Sequence, residues 1–178
     1  MRFSLAQSMP LLERTPRVLH ALLADLPESW TTPDYGPETW SAREIVAHLI
    51  HGERTDWVPR LRLILSPGGP HTFEPFDRAG HKGLLASHGL AELLAVFEVA
   101  RAESLASVRA CGLSEGDLAR TARHPALGEA SASQLLSAWV VHDLNHIAQI
   151  CKAIAFQYRE AVGPWEAYLS ILSPPNPR

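Results

Sequence analysis

Apolar residues recur every three or four positions along almost every patterned stretch of this chain, and no stretch pairs strict alternation with β-branched or aromatic enrichment. That period collects apolar side chains on one stripe of a helix, so the expected fold class is all-α. Leu12, Leu19, Leu22, Leu23 and Leu26 mark a first helix from about Leu11 to Leu26, closed by Pro27. Thr15-Pro16 is either an N-cap with its first helical residue or a kink in a helix that starts earlier, and the sequence leaves both open. The second helix starts at a capping box, Ser41-Ala-Arg-Glu44, with Trp40 placed to staple its entry. It carries Ile45, Leu49, Trp57, Leu61 and Ile64 inward and stops at Ser66-Pro-Gly-Gly-Pro70, while Pro59 should bend or divide it. A third helix runs from about Gly89 to Ala110, with Leu90, Leu93, Leu94, Phe97 and Leu105 inward and Gly112 as its C-terminal glycine. Another capping box, Ser131-Ala-Ser-Gln134, opens a fourth helix that reaches Tyr158 or Arg159 before Gly163-Pro164.

The connections are unequal. Residues 66 to 88, rich in Gly, Pro, His and Phe, read as a long crossover over the bundle surface, and residues 112 to 130 as a second loop turning at His124-Pro125 and Gly128. Trp165 to Leu172 reads as a short helix packed on the bundle. The expectation is therefore one helical domain over residues 1–172, a four-helix bundle with a crossover and a short C-terminal helix, and a frayed tail at 173–178.

The 178 residues suffice for an unstapled core, and 46% apolar with 20% charged residues is a globular composition. A net charge of -3 lacks the basic footprint of a nucleic-acid partner. No apolar run approaches the roughly 18 residues that span a bilayer, and Pro10, Glu13 and Arg14 interrupt any secretory apolar segment. A cytoplasmic protein with no membrane partner is expected. Cys111 and Cys151 form no disulfide framework and read as inert thiols.

The unusual residue is histidine, present nine times. In the fourth helix, His142-Asp-Leu-Asn-His146 sets two imidazoles about 40° apart on the helical wheel and one turn along the axis, so both rings can reach one ion. Leu135, Leu136, Trp139 and Gln149 lie on or beside the same stripe, which must face other helices. His48, flanked by Ile45 and Leu49, stands on an equivalent stripe of the second helix. Three imidazoles match the protein complement of a catalytic zinc site with one position open, and nickel or iron accepts the same ligands. Taken singly, His48 reads by default as an internally hydrogen-bonded core histidine. His51 is turned about 60° from His48, and His20, His88 and His124 lie near helix ends or in loops. Asp143 and Gln149 could orient a ligating imidazole and Asn145 could hydrogen-bond near the site, although Asp143 could equally face solvent or cap a neighbouring loop. Glu53 or His51 is the candidate fourth ligand if the site is closed.

Taken together, Trp40-Ser41-x-x-Glu44-Ile45-x-x-His48-Leu49, His124-Pro125-x-Leu127-Gly128, Trp139-x-x-His142-Asp143-x-x-His146-x-x-Gln149 and Tyr158-Arg159-Glu160-Ala161-Val162-Gly163-Pro164-Trp165 resemble the DinB-like superfamily. The resemblance spans nearly the whole chain. It implies a four-helix bundle in up-down-down-up order, with a divalent metal ion (zinc, nickel or iron) on His48, His142 and His146. It further implies a homodimer and several activities. These are thiol S-transfer to small electrophiles with a low-molecular-weight thiol cosubstrate, thiol-dependent isomerisation, metal-dependent hydrolysis, or a non-enzymatic stress-response role. Of these, the S-transferase with a metal-bound thiolate is the preferred expectation and a hydrolase with metal-bound water the alternative, since no Ser-His-Asp or Cys-His arrangement competes. Phe73, Phe76 and Arg78 of the crossover are candidates for the wall of a substrate pocket.

Overall fold

A computed structural model describes residues 2–69 and 71–173. The helices are α1 (Leu5–Leu23), α2 (Glu28–Thr31), α3 (Ala42–Thr55), α4 (Trp57–Leu65), α5 (Lys82–Ser87), α6 (Leu90–Ala110), α7 (Glu115–Ala119) and α8 (Ala132–Phe156). A hairpin of β1 (Thr121–His124) and β2 (Gly128–Ser131) precedes α8, and 3-10 turns at Gly163–Tyr168 and Ser170–Leu172 follow it. Among the described residues no helix is long and apolar enough to cross a membrane.

Four rods make the bundle: α1, the broken rod α3–α4, α6 and α8. Both α1 and α3 pack against α6 and α8. Their directions follow from the two apolar clusters. One joins the end of α1 (Leu19, Leu23), the start of α3 (Ile45, Ile50), the start of α6 (Leu93, Phe97) and the end of α8 (Ile150). The other joins Met9 and Leu12 of α1, Leu61 and Ile64 of α4, Leu105 and Val108 of α6, and Leu136 and Trp139 of α8. Thus α1 and α8 run one way while α3–α4 and α6 run the other, giving the up-down-down-up order.

Local chemistry explains the boundaries. The Ser41 hydroxyl accepts from the Glu44 amide, and the Glu44 carboxylate returns to the Ser41 amide, so the expected capping box is formed; Ser131 and Gln134 repeat it on α8. The second rod divides at Asp56, because Pro59 has no N–H for the Thr55 carbonyl and its ring crowds that carbonyl. Thr15 and Pro16 lie inside a helix that begins at Leu5, so the N-cap reading fails. The loop expected at 112–130 contains α7 and the hairpin, whose pairing of His124 with Gly128 leaves a three-residue turn. Gly128 takes the positive φ of 82° that such a turn needs, and the His124 Nδ1 accepts from the Ala126 and Leu127 amides. The fourth rod stops at Phe156, short of Tyr158, and the expected C-terminal helix is 3-10 turns in which only Leu172 is buried. Of the expected tail, Ser173 accepts from Lys152 Nζ at its carbonyl, and residues 174–178 lie outside the described residues.

Between the two apolar clusters lies a polar layer to which every rod contributes. Arg101 of α6, 1% exposed, holds both oxygens of Asp143 on α8 at 2.6 and 2.9 Å and Oε1 of Glu53 on α3 at 2.9 Å. It also donates to the Leu12 carbonyl of α1 at 2.8 Å, while the Thr15 hydroxyl donates to Asp143 at 2.6 Å and Trp139 Nε1 donates to Glu53 at 3.0 Å. Burial opposes the charge on Arg101, but Asp143 and Glu53 outweigh it and hold the guanidinium protonated. Its plane packs over Phe97 and Trp139. Replacing Arg101 with Met strands two buried carboxylates and should cost about 3–5 kcal/mol. Urea denaturation measures this, and a loss under about 1 kcal/mol would show that the layer is not a closed network.

Candidate metal centre

The capping box fixes the start of α3, and His48 follows two turns later, 6% exposed on the face turned to α8. On α8 the buried positions 132, 135, 136, 139, 143, 146, 150 and 153 trace the inward stripe, so His146 is buried on it and His142 is half-buried at its edge. The Nε2 atoms of His48 and His142 stand 3.2 Å apart and those of His142 and His146 3.1 Å apart. One ring nitrogen from each residue lies within 4.8 Å of the other two.

Hydrogen bonding satisfies that arrangement poorly. An imidazole nitrogen carries either one hydrogen or one in-plane lone pair, so His142 Nε2 makes one full hydrogen bond or divides it weakly between its two close contacts. A cation shared by three lone pairs satisfies all three rings, and tetrahedral ligands about 2.0–2.1 Å from zinc stand about 3.4 Å from one another. The observed separations fall a few tenths short of that. Two of the rings, those of His48 and His142, are neutral and available as ligands: burial first, then His146, His81 and His51, lowers the His48 pKa to about 3. Burial, His146, His48 and Arg101 lower that of His142 to about 2.

Aromatic rings surround the triad. Trp40 lies 4.7 Å from the His48 ring and nearly parallel to His146 at 6.2 Å, Trp57 meets His142 edge-on at 5.0 Å, and Phe76 meets His48 edge-on at 5.7 Å. The crossover supplies the last of these. It is anchored at one end by buried Phe73, whose amide donates to the Arg123 carbonyl, and at the other by His81, 2% exposed and 6.0 Å from His48. Gly80 lies so close to His51 that an added Cβ would stand 2.3 Å from the ring, so glycine lets this segment settle on α3.

The three predicted ligands are therefore brought together, while the expected helpers are not. Glu53 is held by Arg101 and Trp139, and His51 packs on Phe76, so neither joins the triad. Asp143 neither orients an imidazole nor faces solvent, because Arg101 and Thr15 take its oxygens. Asn145 and Arg78 are exposed, and Gln149 is half-buried. His20 is exposed, His88 bonds within its own turn and His124 stays in the hairpin. Sequence reasoning missed Arg101 and His81. A signal existed for Arg101, which falls on the inward stripe of Phe97, Leu105 and Val108; His81, in an aperiodic loop, offered none.

Comparison with known proteins agrees with this architecture. The family model of the DinB superfamily matches residues 11–150. OB0782 of Oceanobacillus iheyensis, provisionally named a metal-dependent hydrolase, is 25% identical over 140 residues, covering 78% of this chain and 79% of that protein. The structure of YfiT from Bacillus subtilis, described as a probable metal-dependent hydrolase with an unusual four-helix bundle topology, superposes with a TM-score of 0.70 at 21% identity. That alignment covers 88% of this chain and 87% of YfiT. TT2238, a four-helix bundle protein, superposes with a TM-score of 0.53 at 22% identity, over 81% of this chain and 95% of its own.

The buried histidines carry a pH signature. Their ordinary value is 6.5, which the unfolded chain keeps, while folded His48 and His142 titrate near 3 and 2. Between those limits the unfolded chain binds more protons, so the metal-free protein should lose stability as pH falls below 6.5 and keep losing it toward 3. Thermal unfolding of chelator-treated protein should show this decline, and a His48→Leu, His142→Leu variant should show less of it. Equal slopes in the two proteins would place the titrating groups elsewhere.

Proposed function

The chain belongs to the DinB superfamily, and we propose that it is a metal-dependent enzyme in which His48, His142 and His146 hold one divalent ion. The observation that carries this reading is the convergence of three imidazole nitrogens whose close contacts a proton can satisfy only by being shared. These residues would hold an ion that would supply Lewis acidity, bringing the pKa of a bound thiol or water toward neutrality. Imidazole ligands admit zinc, nickel or iron alike.

The chain's own residues do the rest. Two ligands one turn apart on α8 and one on α3 bind the ion across a helix interface, so its position is set by the packing of those rods. Because the His48 and His142 imidazoles are held neutral by burial, those two release few protons on binding at neutral pH. Trp40, Trp57 and Phe76 exclude water from the site and suit an uncharged, apolar reactant. Transfer of a low-molecular-weight thiol to a small electrophile fits such walls, since a thiol needs only a modest pKa drop and no strong protein base. The names of OB0782 and YfiT favour the second reading, hydrolysis at the same centre.

Elemental analysis of protein purified without chelator should find about one transition-metal ion per chain, lost in His142→Ala and His146→Ala. The loaded protein should then consume monobromobimane or a chloroaromatic in the presence of one of a panel of low-molecular-weight thiols, faster than the spontaneous reaction. Negligible metal in wild type and variants alike would defeat the enzyme reading at its root. Metal without thiol consumption, but with ester or amide cleavage, would move the assignment to hydrolysis.

A further inference from the structure

Metal-bound histidines ordinarily donate their second ring nitrogen to a carboxylate, carbonyl or water, which sets the plane of the ring. Here Asp143, beside His142 in sequence, and Glu53, on the same helix as His48, are spent on Arg101, and Glu44 is spent on the Ser41 cap. Among the described residues, the buried Nδ1 atoms of His48 and His142 have no hydrogen-bond partner. Their rings are instead wedged between other rings. His142 meets the edge of Trp57 at an interplanar angle of 70°, and Trp57 is itself stacked on Trp139 at 5.8 Å and 13°. Trp139 is fully buried and tied through Nε1 to Glu53, so the indole that touches His142 rests on a ring fixed by the polar layer. Gly52, on the preceding turn of α3, leaves room for the Trp57 ring, whose Nε1 would stand 3.4 Å from a Cβ there. On the other side Trp40, held beside the capping box, covers His48 and lies parallel to His146.

We propose that Trp57 and Trp40 are positioning residues of the metal centre, setting the planes of the His142 and His48 imidazoles by ring packing in place of hydrogen-bonded carboxylates. The inference rests on the metal reading above and concerns how the ligands are held. An imidazole with no carboxylate behind it is a less basic ligand, so the ion is secured by ligand geometry more than by ligand charge. Disturbing ring packing should then matter as much as removing a hydrogen-bonding partner does elsewhere.

Cobalt(II) binding tests this, with the dissociation constant from chelator competition and the visible d–d spectrum reporting ligand geometry. Trp57→Leu should weaken binding about 10–100-fold and alter the spectrum. Trp57→Phe, which restores an aromatic edge, should recover affinity to within about threefold of wild type. Thermal unfolding of the metal-free forms shows that each variant is folded; where Trp57→Leu is not, Trp40→Leu on the half-buried ring decides the question by the same readouts. A leucine variant that binds cobalt as wild type does, with an unchanged spectrum, overturns the inference and leaves the metal reading standing. Wild type that binds no cobalt overturns both.

Discussion

A buried guanidinium sets the frame for everything else in this bundle. Arg101 reaches one residue on each of the other three rods, and in doing so holds α3 and α8 at a single register where Glu53 and Asp143 both meet it. Buried ion pairs are weak sources of net stability, because removing charges from water costs roughly what their attraction returns. What such a network does supply is intolerance of sliding: a shift of either helix by one turn would leave a carboxylate alone in the interior. Asp143 adjoins His142, and Glu53 follows His48 by little more than one turn, so the same register brings the His48 and His142 nitrogens to 3.2 Å and the three ligand nitrogens within 4.8 Å of one another.

The layer also divides the core. Apolar side chains form one cluster toward Leu19 and Leu93 and another toward Met9 and Leu61, and the polar groups lie between them. Thr15 on α1, His48 and Glu53 on α3, Arg101 on α6, and His142, Asp143 and His146 on α8 all occupy this middle level. Topology then determines what covers it. Because α4 and α6 run in the same direction, the chain must travel back along the rod before α6 can start, a distance of about 35 Å. A segment of that length cannot avoid the middle of the bundle. Phe73 and His81 fasten it on either side of the level where the histidines lie, and Phe76 between them closes over His48.

Much of this was legible in the residues, for reasons that differ by element. The four rods follow from their periods, and the starts of α3 and α8 from capping boxes whose chemistry is local. The His142–His146 pair is local too, since one helix places both rings. Joining His48 to that pair takes knowledge of which helices face one another, which periodicity does not contain; the resemblance to a family supplied it. Asp143 shows the limit most clearly. Its place in the sequence, beside a ligand, suggests service to that ligand, whereas the partner that claims it stands 42 positions away on α6. The hairpin escaped notice because its four-residue strands are too short for alternation to register, and its stability comes from His124 and Gly128 in the turn.

The centre is thus costly to the chain in the absence of an ion and favourable in its presence. Two imidazoles held below their ordinary pKa, those of His48 and His142, each with a ring nitrogen that has no partner among the described residues, stand with His146 where leucine would pack without penalty. A ligand that binds only the folded state stabilises it by mass action, about 4 kcal/mol at a thousandfold excess over its dissociation constant. A divalent ion would therefore couple α3 to α8 at the level where the core is interrupted, offsetting locally what the polar groups cost. An ion there would also lie behind aromatic walls, where solvent would screen it least. The requirements of folding and of chemistry thus converge on the same middle layer, which is why the histidines lie in the interior of the bundle and not at one of its ends.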